Sequence, residues 1–158
     1  MKPIIQFLSL LLLINSVAFG QQNISEKRKS QFNITEGVAI MGYDPVAYFV
    51  KSKAVKGSKQ FAVRAEGITY YCSSEENKQL LVKNYQKYEP QYGGWCAFAM
   101  GNSGDKVEVD PETFKIIDGK LFLFYNAYFN NTLKSWNKDE INLKKQADKN
   151  WSKFYTMP

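Results

Sequence analysis

Apolar residues along this chain recur at two periods, and the change of period marks the elements. Ile68, Tyr70 and Cys72 alternate with Thr69 and Tyr71, which predicts a half-buried strand over residues 67–72. A second β-rich run at residues 61–64, separated from it by Ala65-Glu66, predicts the other arm of a hairpin. Ser73 followed by Glu76 fits a capping box that opens a helix carrying Asn77, Leu80, Leu81 and Asn84. Residues 85–94, with Pro90 and paired glycines, read as a loop returning the chain toward that strand end. Residues 96–100 read as one helical turn or a bent strand. Further strands are expected at residues 106–109, 113–117 and 121–125, the last two joined across Asp118-Gly119.

Upstream, Pro45 presets a helical φ and the Asp44 side chain is placed to accept from the amides that follow, so a short helical turn starts there. Downstream, Ile141, Leu143, Ala147 and Trp151 share a helical face, predicting a terminal helix that packs Trp151 onto the sheet. No internal repeat is legible. These elements predict a single compact α+β domain, a small antiparallel sheet with packed helices.

Residues 1–20 are read as a signal peptide: Lys2 precedes an apolar run from Ile4 to Ile14 and a small-residue exit at Ala18-Phe19-Gly20. The run is shorter than the roughly 20 apolar residues a spanning helix needs, so no stable membrane insertion is expected after cleavage. Residues 21–36 are polar and aperiodic and read as a flexible leader. The folded domain is then residues 37–158, and the expected location is periplasmic or secreted. Net charge is +6, carried mostly by dispersed lysine without arginine clustering, which excludes nucleic acid as the expected partner.

The chain has 10 Tyr, 11 Phe and 3 Trp, so rings must fill much of the core. It has no histidine and two cysteines. A catalytic cysteine therefore lacks its usual base, the carboxylate groups show no spacing that makes them converge, and no enzyme is expected.

Several spaced segments resemble the YHS domain family, in particular its small exported members. They are Gly42-Tyr43-Asp44-Pro45-Val46-Ala47-Tyr48-Phe49, Ser74 to Asn77, Pro90-Gln91-Tyr92-Gly93-Gly94-Trp95-Cys96-Ala97, Asp110-Pro111, Asp118-Gly119-Lys120-Leu121 and Ala147-Asp148-Lys149-Asn150-Trp151. The resemblance covers nearly all of residues 37–158. It implies a compact α+β module of a kind attached to copper-transporting pumps and metal-dependent oxygenases and associated with metal binding. Cys96 matches its family position. The signature histidine position holds Tyr71, and Cys72 stands one place before the cysteine of metal-binding relatives, an offset that turns a strand side chain to the other face.

Two readings of the sulfur residues follow. In the first, Cys96 with Met100 or Cys72, and Met41 as a further donor, holds a soft metal ion such as Cu(I), since thiolate and thioether suit that ion. The chain is then an accessory module serving a metal-handling or other exported protein. In the second, Cys72 and Cys96 form a disulfide in an oxidising compartment, and the chain is a non-catalytic structural or ligand-binding module. Tyr92, Trp95 and Phe98, crowded at the glycine pair, are the candidate ligand pocket.

Overall fold

The structure is a computed structural model that describes residues 25–156. The signal-peptide reading of residues 1–20 lies outside the described residues. The first described element is helix α1 (residues 25–31). A short hairpin follows, β1 (Ile34–Thr35) with β2 (Val38–Ala39), and then helix α2 (Ala47–Val50). The hairpin β3 (Ser58–Ala65) with β4 (Ile68–Cys72) leads into α3 (Glu75–Lys83) and α4 (Tyr85–Tyr88). Helix α5 (Ala97–Asn102) precedes a second long hairpin, β5 (Asp110–Ile117) with β6 (Lys120–Phe124). A small hairpin, β7 (Asn126–Ala127) with β8 (Asn130–Asn131), and helices α6 (Thr132–Trp136) and α7 (Glu140–Thr156) complete the chain. The fold is α+β, with helices packed on small antiparallel two-stranded sheets.

The two long hairpins are the same structure twice. In the first, Ser58 pairs with Cys72, Ala62 with Tyr71 and Ala65 with Ile68; in the second, Asp110 pairs with Phe124, Phe114 with Leu123 and Ile117 with Lys120. Every partner is displaced by 52 residues, as Ser58 to Asp110 and Cys72 to Phe124 show, and the bulge falls at the same place in both. The repeat extends upstream. Ile40, Met41 and Gly42 are left-handed, as are Tyr92, Gly93 and Gly94, and each triplet leads into an extended aromatic residue, Tyr43 or Trp95. Ser52 and Gly104 also share a positive φ, as do Glu66 with Asp118 and Gly67 with Gly119 at the hairpin turns. The chain therefore contains an internal repeat, where the sequence showed none.

Two clusters form the core. The first takes Ile68, Tyr70, Cys72, Tyr48 and Cys96, and the second takes Tyr92, Met100, Phe122, Phe124 and Trp136. Strand β6 separates them, with Leu121 and Leu123 in the first and Phe122 and Phe124 in the second. A strand buried on both faces needs an unbroken apolar run, and Leu121-Phe122-Leu123-Phe124 supplies it. Helix α7 closes the second cluster, packing against α5.

Several expectations are corrected. Residues 25–36 are not a flexible leader: Arg28 pairs with Glu89 at 2.6 Å, Phe32 is buried, and the Asn33 amide donates to the Gly93 carbonyl at 2.9 Å. The cap of α3 is Ser74, which accepts from the Asn77 amide, because Ser73 is taken by Asp44. Residues 85–94 hold α4 and the left-handed turn instead of an open loop. Residues 106–109 join no ladder, since the Val107 carbonyl accepts from the Cys96 amide. Trp151 meets Phe32, Tyr92 and Phe154 edge-on or tilted, so it seats on the left-handed turn instead of the sheet. That turn requires glycine at Gly93, where φ is +61° and a Cβ would lie 2.8 Å from the Trp151 ring.

Candidate functional site

The repeat gives each sulfur residue a counterpart whose role is plain. Cys96 stands where Asp44 stands in the first half. The Asp44 amide donates to the Val55 carbonyl at 2.8 Å, and the Cys96 amide to the Val107 carbonyl at 2.9 Å. Asp44 is fully buried; its Oδ1 accepts from the amides of Val46 and Ala47, and its Oδ2 from the Ser73 amide and hydroxyl and from Asn77 Nδ2. These five donors offset the cost of burying the carboxylate and tie α2 to the start of α3.

Cys96 does the same work with sulfur. The Tyr125 amide, counterpart of the Ser73 amide, donates to Cys96 Sγ at 3.3 Å. Thr132 Oγ1 lies 3.4 Å from that sulfur, and its single proton is directed at the Tyr125 carbonyl 2.9 Å away. The thiol proton therefore points at Thr132 Oγ1, and Cys96 both donates and accepts. It ties α5 to α6 as Asp44 ties α2 to α3.

Met100 corresponds to Tyr48, and both are fully buried. The four-residue spacing of Cys96 and Met100 is thus the spacing of Asp44 and Tyr48, two core positions on one side of a short helix. Cys72 corresponds to Phe124, the apolar last residue of β6, and both are fully buried. Burial first, and then the Asp44 carboxylate, push the Cys72 thiol up to about 12. Met41 sits half-buried in the first left-handed turn.

These residues do not fit a copper ion. Cu(I) takes sulfur donors that face one point, whereas Cys96 is engaged by Tyr125 and Thr132, and Met100 packs into the other cluster with Phe122, Phe124 and Trp136. Among the described residues, no three Cys, Asp or Glu side chains are placed to hold a metal ion. Nor is the bridge formed: Cys72 and Cys96 are both buried and free.

The expected pocket of Tyr92, Trp95 and Phe98 is filled by its own rings. Tyr92 packs edge-on against Phe122 and Trp151 and donates its hydroxyl to Asp148 at 2.9 Å; burial and that carboxylate raise it above the ordinary tyrosine range. Trp95 Nε1 donates to the Gln31 carbonyl at 2.7 Å, and Phe98 packs against both clusters. All three are structural rings.

One element of the second half has no equivalent in the first. Cys72 is followed at once by Ser73 and the cap of α3, but between Phe124 and α6 the chain inserts the hairpin β7–β8. Ala127 pairs with Asn130, which leaves Tyr128 and Phe129 as a two-residue turn with φ of 50° and 64°. A turn with two positive φ values favours Asn-Gly, and bulky side chains there are strained. Both rings point into solvent, Tyr128 at 92% and Phe129 at 111% relative exposure. The base is held firmly: Asn126 Nδ2 donates to Asp110 and Thr113, and Asn131 Oδ1 accepts from the Leu133 amide to cap α6. The signal of this segment in the sequence is an aromatic pair, Tyr128-Phe129, set among Asn126, Asn130 and Asn131.

Among the described residues, no helix is long and apolar enough to cross a membrane. Set against family models, curated proteins and solved structures, the chain finds no match.

Proposed function

We propose that this chain is an exported, non-catalytic binding module whose contact element is the Tyr128–Phe129 hairpin. The observation that carries the reading is two fully exposed aromatic side chains on a strained turn, added to one half of a repeat whose other half lacks them. Strain and apolar exposure both oppose stability, and a fold keeps them together where they serve contact. The interior supports the same reading. Among the described residues no buried side-chain nitrogen or oxygen lacks a partner, and both thiols are closed off by packing. Export is supported by Lys2 and the apolar run from Ile4 to Ile14.

The test is photo-crosslinking in the host, with p-benzoylphenylalanine at position 129 and, as a control, at Val82, an exposed apolar position on α3. The expected result is an adduct on the peptide containing residues 126–131 and none at position 82. Absence of any adduct at position 129 overturns the proposal.

A further inference from the structure

We infer that the hairpin tip inserts shallowly into the interface of an anionic lipid bilayer. This rests on the binding-module reading and names the partner class for the same element. Three observations point to lipid. First, the apex is a protrusion: a two-residue turn with both rings exposed on every side, so no neighbouring surface forms the rim that excludes water around an aromatic anchor in a protein interface. A bilayer supplies its own surround, and its headgroup region suits an aromatic ring paired with a phenol.

Second, the residues flanking the apex are neutral. Ala127 and Asn130 stand on either side, and the amides of Asn126 and Asn131 are already engaged at the base. No carboxylate sits at the tip to be driven into an acyl boundary. Asp110, an acid hydrogen-bonded to the hairpin, is at its root, where it accepts from the Glu112 amide, Thr113 and Asn126.

Third, the charge is complementary. Outside residues 1–20 the chain carries 20 Lys and Arg (21 less Lys2) against 15 Asp and Glu, and the exposed Lys134 follows in the first turns after the hairpin. Two rings alone bind a membrane marginally, so a basic surface and anionic lipid together supply the second attraction that stable attachment needs.

The experiment is sedimentation of the protein isolated from its host with vesicles of phosphatidylcholine alone, or of phosphatidylcholine with about one quarter phosphatidylglycerol. Binding is expected to the anionic vesicles, weakening as salt rises. The double substitution Tyr128→Ser with Phe129→Ser is expected to lower it at least about tenfold while circular dichroism stays unchanged. Lack of binding to anionic vesicles, or binding that survives the double substitution, overturns the lipid inference. If position 129 still crosslinks to a protein in the host, the hairpin remains a contact element for a protein pocket; if it crosslinks to nothing, both readings fall.

Discussion

Replacing Tyr128 by Asn and Phe129 by Gly is expected to make this protein more stable while abolishing its contact surface. Both positions hold positive φ, 50° and 64°, in a turn that joins the paired residues Ala127 and Asn130. An ordinary side chain in the left-handed region costs roughly 1–2 kcal/mol, a cost that Asn carries lightly and Gly not at all. Neither ring offsets it, because both are almost wholly in solvent. Against the relief stands the extra freedom of the unfolded chain at the new glycine, about 0.5–1 kcal/mol. The net gain is about 1–2 kcal/mol, or roughly 3–8 °C in Tm for a domain of this size. Urea unfolding followed by far-ultraviolet circular dichroism measures it, with a higher midpoint and an unchanged slope expected. A midpoint equal to or below that of the unsubstituted protein refutes the claim that the hairpin stores strain. It also removes the argument that this turn is kept for contact at the expense of stability.

Other predictions concern the interior. Cys96→Ala strands the Tyr125 amide and leaves a small void, so a loss of about 2–4 kcal/mol is expected; Cys96→Ser restores a donor and an acceptor and should recover at least half of it in the same urea assay. Equal stability of the Ala and Ser variants would mean the sulfur is packing alone. Asp44→Ala leaves the buried amides of Val46 and Ala47 and the part-buried amide of Ser73 without their acceptor and is expected to cost more than about 4 kcal/mol, seen as loss of cooperative unfolding at room temperature; a cooperative transition near the original midpoint would contradict the anchoring role of Asp44. Cys72 links stability to alkaline pH. Its folded value of about 12 lies above the free value of 9.0, so the unfolded chain releases a proton that the folded chain holds, and stability is full below pH 9 and falls as pH rises toward 12. Cys72→Ala should flatten that fall, and an unchanged slope between pH 9 and 11 would show that the thiol is not closed off.

What the sequence made legible was local. Alternation at Ile68, Tyr70 and Cys72 located β4 and its buried face, and Asp118-Gly119 located the second long turn. Asp44 accepts from the amides after Pro45, as its position before a helical turn implied. The repeat escaped because what recurs is backbone geometry and burial, with few identical residues: Gly42 with Gly94, Ala47 with Ala99, Val55 with Val107 and Gly67 with Gly119. A buried anchor can be a carboxylate at Asp44 and a thiol at Cys96, because either accepts the amide that the second strand presents. For the same reason Cys96 and Met100 looked like a ligand pair, when their spacing reproduces that of Asp44 and Tyr48. The β7–β8 hairpin was hidden by its own strain, since sequence rules expect Asn-Gly where Tyr128 and Phe129 stand. The one-residue shift of the cap from Ser73 to Ser74 had a long-range cause, the claim of Asp44 on Ser73, which no local pattern contains.

On the proposed reading contact lies at the hairpin, while Cys72, Cys96 and Met100 serve the packed interior. Hydroxyl-radical oxidation of Tyr128 and Phe129, read by mass spectrometry in the intact host compartment and again on the purified protein, tests that division most directly. The predicted result is oxidation at both rings lowered several-fold in place, with the exposed Ile141 oxidised equally in both settings. Equal oxidation of Tyr128 and Phe129 in place and in isolation would contradict it.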